Sequence, residues 1–390
     1  MPHMRVAPMR IAIDIRRAGD FGHGTYIRNI VNQFARTDTT TEYLLIGQQS
    51  HWQQFDPLPE NFKFLNYPSL PGSFHTHIHL PYLLHKMDVD LLHMPWFYAP
   101  AIVPSRLVIT VHDLTDVLMP RPGISELMQT GRLYFARRAL ARADRIMAVS
   151  YSSKRELSRV FDVPEEKIEV VYNALDERFL REPMPADAAR VLERHAVTDP
   201  FVLYAGNIKP QKNLPRLIEA FAIAKADLRD HPEYANLKLL LIGDSAEEHS
   251  DLRRAVLRSR LQGDVRFLGF VPYPVLRVFY SRARAFLFPS LYEGFGLPPL
   301  EAMAHGAPVL TSSVSSLPEV FSHAALLVNP ENVFEIARGI RQILTEEDLR
   351  EALIRRGHDL VRKYSWERSA EQVRGVYRSV VEGESVKVSA

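Results

Sequence analysis

Short apolar runs rich in branched residues alternate with segments of helical period, and the alternation happens twice. In the first half, "RIAIDI", "EYLLIG", "DLLHM", "RLVITVHD" and "RIMAVS" read as strands, and "TYIRNIVNQFA" and "SELMQTGRLYFARRALARA" read as helices between them. Strands joined by helical crossovers form a parallel sheet covered on both faces. After the polar, proline-punctuated stretch "REPMPADAARVLERHAVTDP", read as a linker with a short helix, the pattern restarts. "FVLYAG", "LKLLLIG", "DVRFLGF", "RAFLFP", "GAPVLTS" and "AALLVN" are the strands of a second sheet, with "NLPRLIEAFAIA" as a helix. The tail "SWERSAEQVRGVYRSVVE" is amphipathic at helical spacing. The expected class is α/β with two doubly wound domains facing a central cleft. The expected boundaries are 1–190, 191–365 and a terminal helix in 366–390.

The 390 residues suffice for two domains at about 100–200 residues each. Lys+Arg 48 against Asp+Glu 46 leaves a net charge of +2, so bulk charge does not suggest a nucleic-acid partner and none is expected. The absence of cysteine removes disulfides, thiolate chemistry and Cys-ligated metals. "MPHMRVAPMR" lacks the apolar core of a secretory signal, and runs such as "LKLLLIG" are too short to span a bilayer. The expectation is a cytoplasmic chain, with peripheral contact at the inner membrane face as the alternative setting.

Open α/β sheets bind ligands at the carboxyl ends of their strands, so the informative residues follow strands. "RRAGDFGHGTYIRNI" follows the first strand; Gly19, Gly22 and Gly24 make a loop and Thr25 is a candidate cap for the next helix. The glycines do not match G-x-G-x-x-G, which disfavours a nicotinamide dinucleotide. "YAGNIKPQKNLPRLIEAF" opens the second sheet, with Gly206 ending the strand and Lys209 and Lys212 before a helix starting near Asn213. A helix start is already positive, so a lysine there makes sense if an anion such as a diphosphate lies between it and the amides.

"LYEGFGLPPLEAM" follows another second-half strand. Pro298 and Pro299 suit a first helical turn, and Gly294 and Gly296 let backbone approach a ligand. Glu293 falls in the loop and Glu301 inside the helix, where carboxylates accept sugar hydroxyls while the amides of 294–297 face phosphate. "VITVHDLTD" ends a first-half strand with His112 and Asp113; adjacent strand residues face opposite ways, and His112 is the one expected in the cleft. "HTHIH" places His75, His77 and His79 at alternate positions, followed by His85 and His93. No carboxylate completes a ligand set and the segment reads as helix, so no metal is expected. Arg132, Arg137, Arg138, Arg142 and Arg145 make a basic helical stretch, either a solvated face or a contact with an anionic lipid-linked acceptor or membrane.

"EGFGLPPLE" resembles the E-x7-E motif of retaining GT-B glycosyltransferases, in particular glycosyltransferase family 4. "GHGTYIRNI", "VHDLTD", "RADRIMAVSYSSKREL", "VVYNALD", "YAGNIKPQKNLPRLIEAF", "FLGFVP", "LFPSLYEGFGLPPLEAMAHGAPVLTSSVSSLPEV", "AALLVNP" and "YSWERSAEQ" follow in the family's order, covering most of the chain. The resemblance implies a GT-B pair of Rossmann-like domains, a nucleotide-sugar donor held mainly by the second, and a terminal helix crossing back to the first. By the same resemblance Glu293 contacts donor-sugar hydroxyls, and Glu301 the ribose. The amides of Gly294, Phe295, Gly296 and Leu297 line sugar and diphosphate, and Lys212 pairs with the diphosphate. Val271 and Pro272 lie at the base, Gly22 and Gly24 approach the phosphates, and His112 sits near the reacting carbon. His93, Ser150 and Asn173 are the acceptor or cleft candidates. Asn207 stands where many members carry arginine, and Lys209 is the alternative second cation.

The implied reaction moves a sugar from a nucleotide diphosphate to a hydroxyl of a glycan or lipid-linked acceptor, with retention and no metal or other cofactor. "KNLPRLIEAF" is similar to mannosyl- and rhamnosyl-type members, which makes GDP-mannose the first expectation and UDP-glucose and related donors the alternatives. The rival readings are an epimerase or phosphorylase on a similar fold and a non-catalytic nucleotide-sugar binder. No feature of the sequence bears on oligomeric state.

Overall fold

A computed structural model describes residues 8–70, 73–100, 102–119, 126–181, 184–185, 187–243 and 249–383. The signal-peptide expectation for "MPHMRVAPMR" lies mostly outside these residues, as do residues 182, 183 and 186 of the expected linker and Ser125 of the expected basic helix.

Two sheets form, both wholly parallel. The first contains β1 (Arg10–Asp14), β2 (Glu42–Gly47), β3 (Phe62–Asn66), β4 (Leu91–Met94), β5 (Arg106–Val111), β6 (Arg145–Ala148) and β7 (Ile168–Val170), in the order β3-β2-β1-β4-β5-β6-β7. The second contains β8 (Phe201–Ala205), β9 (Lys238–Ile242), β10 (Val265–Gly269), β11 (Phe286–Phe288), β12 (Val309–Ser312) and β13 (Leu326–Val328), in the order β10-β9-β8-β11-β12-β13. Every residue of β4, β8, β11 and β12 is buried, as expected where helices cover both faces of a sheet. Strand order reverses between β1 and β4 in one sheet and between β8 and β11 in the other. These reversals are the switch points at which such sheets bind ligands.

The chain divides into one unit of residues 1–173 and 365–390 and a second of residues 174–364. The boundary expected after residue 190 therefore falls earlier. Phe179 packs edge-on against Tyr273 at 5.0 Å and against His305 at 5.6 Å, and the Arg178 guanidinium lies 4.3 Å from the Tyr273 ring. Those contacts commit the segment to the second unit. The terminal helix Trp366–Glu382 belongs to the first unit, where it packs on the Gly22–Thr37 helix. Ser369 donates to the Tyr172 carbonyl at 2.7 Å, and Tyr377 meets His93 Nδ1 at 2.6 Å. The "HTHIH" stretch is part of the Phe74–Lys86 helix. His75 and His79 lie 4.7 Å apart on one face beside Tyr67, while His77 turns to Phe135.

Candidate active site

The second unit gathers its site from the loops after β8 and β11. Past Gly206, Pro210–Lys212 form a single 3-10 turn and Asn213 takes a left-handed conformation (φ 62°) before the Leu214–Asp227 helix. Asn213 donates its side-chain amide to the Pro289 carbonyl at 3.0 Å and the Pro330 carbonyl at 2.7 Å. The Leu291 amide donates to the Gln211 carbonyl at 2.7 Å. These bonds tie the two loops together and bring Lys212 Nζ to 2.5 Å from Glu293 Oε1. Both side chains are nearly covered, at 11% and 12% exposure, so their attraction is less screened than on an open surface. The ammonium also lies 5.0 Å from the Phe288 ring. The lysine that is electrostatically misplaced at a helix start is thus met by a carboxylate. Glu293 itself is fixed at both ends of its peptide unit: its amide donates to Ser315 Oγ at 3.0 Å, and Ser316 Oγ donates to its carbonyl at 2.9 Å.

Gly296 caps the Leu297–Ala304 helix with φ 95°, and Pro298 and Pro299 occupy its first turn. Because proline has no N–H, Pro298 and Pro299 leave no amide unsatisfied in this first turn. A β-carbon at position 296 would lie 2.8 Å from Leu317 Cδ2 and 3.0 Å from the Phe321 ring, on top of the left-handed strain. Gly296→Ala should therefore cost about 1–2 kcal/mol in urea unfolding, besides tilting the helix start. Phe295 is buried against Tyr364, so this residue can offer a ligand its backbone and not its ring. Lys209 is exposed, and Asn207 uses its carbonyl to accept from Tyr204 OH at 2.8 Å.

Glu301 accepts from Tyr280 OH at 2.9 Å, and packing around the carboxyl pushes its pKa up to about 7; Asp176 adds to the rise, while the Tyr280 hydrogen bond and Arg178 oppose it. Its carbonyl accepts from His305 Nδ1 at 2.8 Å, and Arg277 donates to His305 Nε2 at 3.1 Å, which fixes the imidazole tautomer. Val271 is buried and Pro272 precedes the Tyr273–Arg282 helix, the same helix that supplies Tyr280. Sequence reasoning missed Tyr280, Arg178, Asp176, Ser315 and Ser316. Asp176, Ser315 and Ser316 lay within quoted motifs; Tyr280 and Arg178 carry no local signal.

In the first unit, the Gly22–Thr37 helix starts three residues before Thr25, and Thr25 donates its backbone amide to the Phe21 carbonyl at 3.0 Å. The expected Thr25 cap is therefore replaced by a position inside the first turn. A β-carbon on Gly24 would press into the Ala18 carbonyl and the Arg28 guanidinium, whereas Gly22 has open space around it. Gly24 thus serves packing, and Gly22 is the residue that a ligand can approach.

β5 ends at Val111, so strand alternation does not orient His112 and Asp113. Asp113 accepts from the Thr115 amide at 2.8 Å and caps the next turn. His112 is buried edge-on against His23 at 4.6 Å and Tyr26 at 4.9 Å, and burial holds its pKa down to about 4. It also bonds to the Pro95 backbone, whose only available group is a carbonyl acceptor. His112 Nε2 has no partner, so the donated proton is on Nδ1 and Nε2 carries the lone pair.

His93, Ser150 and Asn173 are all buried. His93 bridges Thr110 at 2.8 Å and Tyr377, and Ser150 accepts from the Ser153 amide at 3.0 Å as a helix cap. These two hold the fold, while Asn173 keeps an unpartnered Oδ1 at the end of the unit. Of the basic stretch, Arg137, Arg142 and Arg145 donate to the Val160, Val103 and Asp144 carbonyls. Among the described residues, no helix is long and apolar enough to cross a membrane.

Two doubly wound sheets, with a Lys-Glu pair beside a glycine-capped helix start, define a GT-B glycosyltransferase architecture. The sequence model described as Glycosyl transferases group 1 matches residues 187–359, and that of Glycosyltransferase Family 4 matches residues 22–179. The O-antigen chain mannosyltransferase B of Escherichia coli is 33% identical over 74% of this chain and 74% of its own length. The chain belongs to this glycosyltransferase family. The serotype-specific mannosyltransferase WbdA of E. coli is 31% identical over 69% of this chain, which spans only 33% of WbdA. The crystal structure of Anabaena HepE with UDP-glucose matches with a TM-score of 0.74 at 18% identity, over 95% of this chain and 100% of that one, a likeness of fold.

Proposed function

We propose that the chain transfers mannose from GDP-mannose to a hydroxyl of a glycan or lipid-linked saccharide, with retention of the anomeric configuration. The Lys212–Glu293 pair carries the reading, because it sets a cation for a leaving diphosphate beside a carboxylate for sugar hydroxyls. The names of the E. coli relatives support mannose. In the structure the two charges satisfy each other. When the donor binds, the diphosphate takes Lys212 and a sugar hydroxyl donates to Glu293. The amides of residues 294–297 face the diphosphate, with exposed Lys209 as a second cation. His112 offers an Nε2 lone pair able to accept a hydroxyl.

The acceptor oxygen forms the new bond to the anomeric carbon on the face from which the diphosphate departs. The bond from that carbon to the phosphate oxygen breaks, and the acceptor proton passes to the departing phosphate. Protein cations and amides carry the developing charge in this scheme. Turnover should therefore persist in excess EDTA; a dependence on divalent ion would contradict it.

Glu301 takes the ribose hydroxyls in this reading and gives it a pH signature. Hydroxyls donate to the ionised carboxylate, but the free group is half protonated near pH 7. Donor affinity should fall as pH drops below 7, approaching tenfold per unit, and Glu301→Gln should flatten the profile. Stability runs the other way. The folded pKa lies above the unfolded value of about 4.3, so the folded state binds the extra proton, and stability declines as pH rises from there to about 7. Calorimetric titration of GDP-mannose between pH 5.5 and 8.5 reads the first effect, and a pH-independent affinity would remove Glu301 from the ribose site.

A further inference from the structure

Of the seven non-glycine residues with a left-handed backbone among those described, five follow an α-helix within two residues, the ordinary place for that conformation. The other two are Asn213, at φ 62°, and Ser315, at φ 53°. Both adjoin the Lys212–Glu293 pair. Asn213 is the residue after Lys212, and Ser315 Oγ accepts the Glu293 amide at 3.0 Å. Asparagine tolerates this backbone well and serine less so. Such strain persists only where the surrounding structure imposes it, and it gathers at functional sites. Ser316 departs from its local role in a different way. It stands at the N-cap of the Leu317–Phe321 helix, where a serine hydroxyl ordinarily accepts from that helix's own amides, yet its side chain makes no cap bond. The buried hydroxyl donates instead to the Glu293 carbonyl at 2.9 Å.

We infer that Ser315 and Ser316 are positioning residues for Glu293, and that the Ser315 strain is kept for that task. The inference rests on the reading that Glu293 meets the donor sugar. One hydroxyl holds the peptide before the Glu293 α-carbon and the other holds the peptide after it. Together they set the direction in which the carboxylate leaves the backbone toward Lys212. Gly294 follows, and a glycine by itself does little to fix the chain at that point. The brace therefore comes from the loop after β12, the strand paired with β11. The short helix that follows the two serines supports the same stretch. Its Leu317 and Phe321 lie so close over Gly296 that a β-carbon there would come within 2.8 and 3.0 Å of them. A serine hydroxyl can both donate and accept, which lets adjacent serines serve an amide and a carbonyl.

Calorimetric titration with GDP and with GDP-mannose, beside urea unfolding of the full chain, separates positioning from plain stability. Ser315→Ala loses the hydroxyl and keeps the left-handed strain, whereas Ser315→Gly loses both. Glycine should therefore unfold at higher urea than alanine. Both should weaken GDP-mannose by roughly threefold to tenfold, the worth of one hydrogen bond, and leave GDP unchanged. Ser315→Asn keeps an acceptor oxygen in a residue at home in the left-handed region, and it should recover most of the loss. Ser316→Ala should show the same sugar-specific weakening. The inference is overturned if Ser315→Gly binds GDP-mannose as wild type does, if affinity follows urea stability rather than the hydroxyl, or if GDP weakens in parallel. Failure of wild type itself to bind GDP-mannose would instead strike the donor reading on which the inference stands.

Discussion

Lys212→Ala should lower turnover by roughly a hundredfold to a thousandfold, with the fold intact. The expected loss is about 2.7–4 kcal/mol of transition-state stabilisation, the value of one preorganised donor aimed at developing charge. Lys212 is held for that task by a loop stitched to its neighbour through Asn213 and Gln211, so the ammonium need not be reorganised during the reaction. The variant also strips Glu293 of its counter-ion. Glu293→Ala should harm transfer more than nucleotide affinity, because the proposed reading sets it against the sugar. Glu301→Ala should weaken donor binding, because the proposed reading sets it against the ribose. Steady-state rates with GDP-mannose and urea unfolding of the same samples read these together. Near-normal turnover in Lys212→Ala would end the leaving-group assignment.

Asp14→Ala should destabilise the first unit by about 3–5 kcal/mol, the usual cost of removing one partner from a buried ion pair. Asp14 and Arg16 have side chains 0% and 1% exposed, and the guanidinium donates to both carboxylate oxygens, at 3.0 and 3.1 Å from Nε and 2.6 Å from Nη2. It also donates to the Ser69 carbonyl at 3.0 Å and lies 5.2 Å from the Tyr67 ring. Without Asp14 the guanidinium stays buried with its charge uncompensated. Urea unfolding should lose its first-unit transition at low denaturant while GDP-mannose still protects the second unit. A loss below about 1 kcal/mol would mean that water reaches Arg16.

The two predictions differ in how much of their basis was visible in the sequence. Lys212 and Glu293 announced themselves because each follows a strand and sits among glycine or proline, and strand ends are where α/β sheets place ligands. Asp14 did not. It reads as the polar end of "RIAIDI", and its partner two residues on lies beyond the strand. The value of the pair depends on Ser69, Thr76 and Tyr67, which only the fold brings near. Tyr280 escaped for the same reason, reaching Glu301 across two helices. The unit boundary was misjudged because proline and polar residues marked a linker near 181–200, whereas the aromatic packing of Phe179 had already committed the chain to the second unit. The Thr25 cap failed because Gly24, lacking a β-carbon, lets the helix begin earlier against Ala18. Periodicity thus located strands and loops, while pairings between distant side chains needed the folded chain.

The central claim is a donor clamp that transfers mannose with retention, and proton NMR of the reaction tests it most directly. GDP-mannose carries its sugar in the α configuration. Incubated with the full chain and a saccharide acceptor, it should yield GDP and an α-mannoside as the first product, with both formed roughly a hundredfold to a thousandfold more slowly by Lys212→Ala. A β-mannoside, or consumption of UDP-glucose while GDP-mannose stays intact, would contradict the account.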